Sequence, residues 1–354
     1  MKALVLSGGR GTRLRPITHT RAKQLIPVAN QPVLFYGLKA IAEAGIKKAG
    51  IVVGDTHEEI EQAVGRGRRF GLEVSYIKQA QPLGLAHAVL ISKKFLGNEP
   101  FVMYLGDNLL KSGIKKFVER FRKEKANAGI LLARVKNPSA FGVAELQGDR
   151  VVRLVEKPKK PKSDLALVGV YIFDQTVHQA VRAIQPSSRG ELEITDALQW
   201  LIDHGKKVRF SVVDGWWKDT GKVEDLLEAN RMILDELEPK VLGKVDAASK
   251  IEFRVRIEKG ALVRNSRILG PAVIGAGTLI ENSYIGPFTA IAENCSIRNA
   301  ELEHSIIMAE SRVENISRRL SDSLVGRNTV IQCSKQKPGA LRLIIGDSSE
   351  VELV

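Results

Sequence analysis

The sequence predicts an α/β chain in two domains, a mainly parallel sheet over residues 1–242 and a left-handed parallel β-helix over residues 243–354. Three observations carry this expectation. Short β-branched runs alternate with amphipathic stretches through the first 135 residues, and a loop rich in glycine and arginine follows the first run directly. Beyond residue 243, aliphatic residues recur at intervals of five or six with glycine between them. A length of 354 residues suits two domains of roughly 100–200 residues each.

In the first domain, Ala3 to Leu6, Ala49 to Val53, Glu73 to Ile77, Phe101 to Leu105 and Gly129 to Val135 read as strands of βα units. Pro32 to Ala44 reads as a helix, with proline near its start, Leu34, Leu38 and Ile41 on one face, and Gly45 just past its end. Ligands in open α/β sheets gather at the carboxyl ends of the strands, which marks Gly8 to Arg15 and Gly106 to Asn108 as places for chemistry. Val143 to Leu146, Val151 to Val155 and Leu167 to Phe173 read as antiparallel strands, the first two joined at Gly148-Asp149. Helical patterns return at Thr195 to Asp203 and Val223 to Leu237. The basic run Lys157 to Lys162 reads as a solvated connection in which only Lys157 is given a chemical role.

The second domain announces itself in the units IGAGTLI, IGPFTAI and VGRNTVI, with further aliphatics at Ile257, Val263, Leu269, Ile280, Ile291 and Ile297. Hexapeptide-type repeats of this kind stack short strands into a solenoid with an aliphatic ladder inside. Between His304 and Ser321 the pattern is imperfect, so an insertion or a broken coil is expected there.

Composition narrows the class of function. Hydrophobic residues at 44% and charged residues at 27% describe a folded globular chain, and 54 basic against 40 acidic residues leave +14, which suits an anionic partner. The longest uncharged run, Gln24 to Leu38, is interrupted by Pro27, Asn30 and Pro32 and is too short for a membrane span, and Met1 to Leu6 lacks the build of a signal peptide. Cys295 and Cys333 form no CxxC pair, and the histidines His19, His57, His87, His178, His204 and His304 show no metal-ligand spacing. A cytoplasmic protein without zinc or a disulfide framework is expected.

The strongest local signal is the segment Leu6-Ser7-Gly8-Gly9-Arg10-Gly11-Thr12-Arg13-Leu14-Arg15-Pro16. Glycines let backbone N–H groups approach phosphate oxygens and the arginines add charged forks, so the segment reads as a polyphosphate cradle. It is neither a Rossmann fingerprint, which wants glycine at Leu14, nor a Walker loop, which wants Gly-Lys-Ser/Thr. Lys23-Gln24 follows, pairing a point charge for phosphate with an amide able both to donate and to accept.

GGRGTRLRPIT, followed by AKQLIPV and QPVLFY, resembles the sugar-1-phosphate nucleotidylyltransferases, and the glutamine after Lys23 is similar to the thymidylyl-transferring branch of that family. Later segments agree in order: Gln79-Ala80-Gln81-Pro82-Leu83-Gly84-Leu85-Ala86, Leu105-Gly106-Asp107-Asn108, Phe141-Gly142-Val143, Glu156-Lys157-Pro158, Arg189-Gly190-Glu191-Leu192-Glu193-Ile194-Thr195-Asp196 and Trp217-Lys218-Asp219-Thr220-Gly221. The resemblance covers about residues 1–240 and implies a Rossmann-like nucleotidyltransferase fold for them.

It also implies roles. Leu6, Gly8, Gly9, Gly11, Thr12 and Arg13 would surround the nucleoside triphosphate, and Gln24, Gln79 and Gly84 its base. Gly142, Glu156, Lys157, Val168 and Arg189 would surround the sugar phosphate. Arg13, Lys23, Asp107 and Asp219 would be catalytic, the two aspartates holding Mg²⁺. Phe141 stands where tyrosine is common, and His87, where glutamine is common, reads as helix packing. The implied reaction joins dTTP and glucose 1-phosphate, with UTP or another sugar phosphate as the rival within the class. A non-catalytic regulatory subunit of the same architecture is the rival outside it, and an acetyltransferase solenoid is a third reading that finds no histidine to support it. Small-molecule substrates, no nucleic acid, no membrane and a homo-oligomer complete the expectation.

Overall fold

The computed structural model describes residues 1–333 and 342–352. The chain forms two compact units, one of Met1–Gly11, Arg21–Leu25 and Val33–Asp219, the other of Thr12–Thr20, Ile26–Pro32 and the residues from Thr220 onward. The end of the expected second domain, residues 334–341 and 353–354, lies outside the described residues.

In the first unit a nine-stranded sheet is built from β1 (Lys2–Ser7), β2 (Lys48–Val53), β3 (Glu73–Lys78), β4 (Phe101–Leu105), β5 (Ala128–Arg134), β6 (Gly142–Gln147), β7 (Arg150–Glu156), β8 (Leu165–Phe173) and β9 (Val208–Val212). The order is β7-β6-β8-β4-β1-β2-β3, and β8 also pairs with β5, which carries β9. β1 lies parallel to both β2 and β4, Val5 standing beside Ile51 and Tyr104. Its run is apolar without a break because both faces are covered: Ala3 and Val5 join one core cluster, Leu4 and Leu6 the other.

The sheet is mixed, parallel through β1 to β4 and antiparallel over residues 143–173, where antiparallel strands are expected from the sequence. β8 runs antiparallel to β4, β5 and β6, while β1 to β4 and the β5–β9 pair keep parallel neighbours. Composition marks a strand, but its direction is settled by the path between strands, and here the chain makes the β6–β7 hairpin and returns through β8. The exposed-edged β9 is a strand that the sequence reading did not contain.

Helices fall where the patterns place them, at Val33–Glu43, Ile194–Asp203 and Val223–Leu234. The last is shorter than expected because Glu236 and Leu237 donate to Ile233 and Leu234, tightening the chain out of α geometry. No helix among the described residues is long and apolar enough to cross a membrane.

The second unit contains a solenoid of three parallel sheets with six, six and five strands. Ala272 beside Thr289 and Leu279 beside Ser296 set a coil of 17 residues. Ile257, Val263, Ile280, Ile291 and Ile297 point inward as expected, but at the remaining position Ile268 is the buried residue and Leu269 faces outward, because alternation along the strand Arg267–Leu269 puts its middle residue inside. No coil is broken between His304 and Ser321. The offset is 16 at Ile291–Ile307 and 18 at Leu302–Leu320, so one-residue slips are absorbed at corners such as His304 and Asn315, both at positive φ. Asparagine tolerates that conformation best among residues with a side chain, and corner asparagines bond between coils, Asn265 Nδ2 to Asn282 Oδ1 at 2.8 Å and Asn299 Nδ2 to Asn315 Oδ1 at 2.7 Å.

Thr278 and Cys295 occupy successive levels of one buried column. The Cys295 N–H donates to Thr278 Oγ1 at 3.1 Å, and its Sγ reaches the Met308 carbonyl at 3.2 Å. The helix Val223–Leu234 belongs to the same unit. Its fully buried Asn230 accepts from the Ala29 N–H at 2.9 Å and donates to the Phe288 carbonyl at 2.8 Å, and neighbouring Asn30 donates to the Ile291 carbonyl at 2.7 Å.

Candidate active site

β1 ends at Ser7, and the loop beyond it packs backbone against backbone. A Cβ on Gly54 would lie 2.8 Å from the Gly8 carbonyl, and one on Gly8 would lie 3.4 Å from Gln79 Oε1. Gly8 and Gly54 therefore let two strand ends and a glutamine converge. Leu6 contributes differently: its side chain is buried in the core, and its carbonyl accepts the Gly106 N–H at 2.9 Å, locking the loop after β4 beside that after β1. Gly9 is exposed and Gly11 adopts φ +64°. Thr12 and Arg13 are exposed on the turn Thr12–Leu14, which belongs to the second unit.

Lys23, on the short turn Lys23–Leu25, is ion-paired with Asp107 Oδ2, and the two side chains are only 11% and 18% exposed. Asp107 follows β4. Its neighbour Asn108 donates from Nδ2 to Asp107 Oδ1 at 3.2 Å and accepts from Trp217 Nε1 at 2.5 Å, while the Tyr104 hydroxyl donates to its carbonyl at 3.0 Å. A two-stranded ribbon, Asn108–Leu110 with Trp217–Asp219, places Asp219 directly opposite Asn108. The two aspartates, more than 100 positions apart in sequence, thus come to one end of the ribbon, Asp219 opposite Asn108 and Asp107 the residue before it. Phe141, which stands where tyrosine is common, packs edge-on against Trp217 with ring centres 5.3 Å apart and so braces the ribbon.

The glutamines lie nearby in the same unit. Gln24 is 2% exposed, and its Oε1 has no hydrogen-bond partner among the described residues. Gln79 Nε2 stands 2.9 Å from His87 Nδ1 and 3.3 Å from the Gly84 carbonyl. His87 is therefore a partner of Gln79, and the expectation that it only packs its helix is corrected. Burial lowers its pKa and so favours the neutral ring. Gly84 adopts φ +101°, and a Cβ there would come within 2.4 Å of the Leu192 carbonyl.

The third group surrounds the end of β7. Glu156 stands beside Gly142 across the β6–β7 pair; its Oε2 accepts from Thr195 Oγ1 at 3.2 Å, and its Oε1 lies 3.4 Å from Arg189 and 3.8 Å from Lys157. A Cβ on Gly142 would lie 2.7 Å from Thr195 Cγ2 and 3.1 Å from Glu156 Oε2. Burial, with the nearby Glu193 carboxylate second, raises the Glu156 pKa. Glu193 is the main partner of Arg189, at 2.8 Å, and also accepts from Ser187 Oγ at 2.8 Å. A cavity of about 610 Å³ is lined by Glu156, Lys157, Ser187, Arg189, Glu193 and Asp196, among others. Val168 is buried in the core beside Gly169, which takes φ +75° in mid-strand, and it does not line this cavity. Glu193 and Thr195 hold site residues in place without having been singled out from sequence; both lie in the RGELEITD segment, and their burial is the sign that composition does not show.

The site collects basic side chains, glycine-lined strand ends, two aspartates and two glutamine amides. The nucleotidyl transferase family model matches residues 2–236. The chain belongs to the nucleotidyl transferase family. It is 56% identical to a glucose-1-phosphate thymidylyltransferase of Streptomyces griseus and 57% identical to one of Streptomyces antibioticus, in each case over 100% of this chain and 99% of the relative. Among solved structures, a Bacillus anthracis protein described as a glucose-1-phosphate thymidylyltransferase in complex with sucrose superposes with a TM-score of 0.62 at 36% identity, covering 66% of this chain and 94% of that one.

Nucleotidyl transferases generally use a divalent metal. The donor set here fits a hard cation held jointly with a substrate: two carboxylates at one end of the ribbon, Asp219 opposite Asn108 and Asp107 just before it. Mg²⁺ is bound in this way, through one or two carboxylates completed by phosphate oxygens and water.

Proposed function

We propose that this protein transfers the thymidylyl group of dTTP to glucose 1-phosphate and releases pyrophosphate. The observation that carries the reading is the full-length likeness to two thymidylyltransferases, supported by the Lys23–Asp107 pair beside the end of β4. Residues 1–242 are assigned the chemistry and 243–354 the solenoid, in a cytoplasmic homo-oligomer without nucleic-acid or membrane partners.

An oxygen of the glucose 1-phosphate forms a bond to the α-phosphorus of dTTP. The bond from that phosphorus to the α,β-bridging oxygen breaks, and its electron pair leaves on pyrophosphate. The attacking phosphate is already an anion, so no base is needed; the difficulty is to bring two anions together. Asp107 and Asp219 would hold Mg²⁺, which supplies charge neutralisation at the phosphates when bound. Lys23, already held within the site by Asp107, adds positive charge there, and the arginine-bearing loop with Arg13 takes the triphosphate. Glu156 accepts sugar hydroxyls, while Lys157 and Arg189 face the sugar's phosphate. Gln24 and Gln79 read the base.

The test is pyrophosphate release with glucose 1-phosphate, Mg²⁺ and each of dTTP, UTP, GTP, ATP and CTP, beside an Asp107→Ala, Asp219→Ala variant. Release led by dTTP and abolished in the variant is expected. Release led by UTP would overturn the thymidylyl assignment, and no release with any nucleotide would overturn the enzymatic one.

A further inference from the structure

Gln79 has an amide with two chemically opposite ends, a nitrogen that only donates and an oxygen that only accepts. Rotation by half a turn exchanges them with little change in shape, so which end faces a ligand depends on what holds the other. Here the nitrogen is held. Gln79 Nε2 lies 2.9 Å from His87 Nδ1 and 3.3 Å from the Gly84 carbonyl, two acceptors that use both of its hydrogens. The contact with His87 requires Nδ1 to be unprotonated, with the ring hydrogen on Nε2. The partial burial that lowers the His87 pKa favours this neutral form.

The oxygen is what remains to face outward, and it points toward the loop after β1, 3.4 Å from where a Cβ on Gly8 would be. An acceptor fixed at this place discriminates among pyrimidines. Uracil and thymine carry a hydrogen on N3, at the centre of the Watson–Crick edge, whereas N3 of cytosine is an acceptor and would meet the oxygen with its own lone pair. If the amide turned over, its nitrogen would suit cytosine instead.

We propose that His87 is a positioning residue that holds the carbonyl end of Gln79 toward the nucleobase and so selects pyrimidines bearing an N3–H over cytosine. The inference rests on the base-reading role given to Gln79 above. The helix Leu85–Ile91 supplies His87 from its first turn, and Gly84 immediately before it supplies the second acceptor, so one strand-to-helix turn fixes both contacts.

The test compares kcat/KM for dUTP and dCTP, which differ at the base edge and share the absence of a methyl group. In His87→Leu the ring acceptor is gone, and the dUTP to dCTP ratio is expected to fall by about tenfold or more. In His87→Asn the side-chain oxygen can replace Nδ1 as acceptor, and the ratio is expected to return to within about threefold of the parent. Gln79→Ala is measured in parallel, and thermal melting of each variant establishes that it is folded.

A collapsed ratio in Gln79→Ala with an unchanged ratio in His87→Leu would overturn the positioning role while leaving Gln79 as a base reader. Unchanged ratios in both would overturn the base-reading role and this inference with it. A fall in His87→Leu that His87→Asn fails to restore would assign the effect to packing and overturn the hydrogen-bond argument. Should His87→Leu fail to fold, His87→Ala takes its place against the same Asn variant.

Discussion

Lys23 and Asp107 form an ion pair in which both side chains are largely withdrawn from solvent. Removing one member leaves the other's charge in a partly dry site, which costs more than removing both. Lys23→Met and Asp107→Asn are each expected to lower kcat by at least about 100-fold. Each is also expected to lower stability by about 1–3 kcal/mol, with the double variant less destabilised than the sum of the two. Steady-state kinetics and urea unfolding of the three variants check this; strict additivity would show that the pair is not coupled.

Glu156 supplies a pH prediction. Its folded-state pKa is raised above the ordinary 4.5, chiefly by burial, so the folded form favours the protonated acid. The associated stability is fully present below the unfolded pKa and is lost as pH rises through the folded value. Glu156→Gln, which cannot ionise, is therefore expected to gain in Tm relative to the parent between pH 4.5 and 7.5, both measured without substrates. A difference that stays flat or shrinks over that window would show that the Arg189, Lys157 and Thr195 contacts outweigh desolvation.

Asn230 joins the turn Ala29-Asn30, between the paired Pro27–Val28 and Gln31–Pro32, to a solenoid coil through the Ala29 N–H and the Phe288 carbonyl. Substitution by alanine leaves both backbone groups without this partner, and an expected loss of about 2–4 kcal/mol follows from two such groups. Chemical denaturation of Asn230→Ala with an unchanged m-value checks it.

The two cysteines separate by environment. Burial pushes the Cys295 thiol up to about 11, while Cys333 is exposed. Iodoacetamide at pH 8 is expected to modify the native protein at Cys333 and spare Cys295, as peptide mapping would show. Because Cys295 stands in a column with Thr278, its replacement by serine is expected to change stability by no more than about 1 kcal/mol.

What could be read from sequence follows the range of the interactions involved. β1 was legible because a strand buried on both faces needs an unbroken apolar run, and the solenoid because its repeat is written in the chain. The antiparallel course of β8 was legible too, but the strand Val208–Val212 and the identity of Ile268 as the inward residue were not, since pairing and one-residue register are decided by neighbours distant in sequence. The site shows the same division. Lys23 and Asp107 stood out through their motifs, whereas the bond from Gln79 to His87 and the grip of Glu193 on Arg189 arise where strand ends and helix starts converge. A motif names the side chain that meets a ligand, and the residue that holds that side chain still has many local sequences open to it.

The hydrogen bonds of Ala29 and Asn30 also bear on how the chain is made. Their partners lie 201 and 261 positions later, and the second unit gathers residues 12–20 and 26–32 with those from 220 onward. On a ribosome adding about 5–20 residues per second, the early hairpin waits roughly 10–40 seconds for Asn230 to be synthesised. Residues 12–20 and 26–32 thus leave the exit tunnel well before the partners of Ala29 and Asn30 exist, and the second unit cannot mature in N-to-C order.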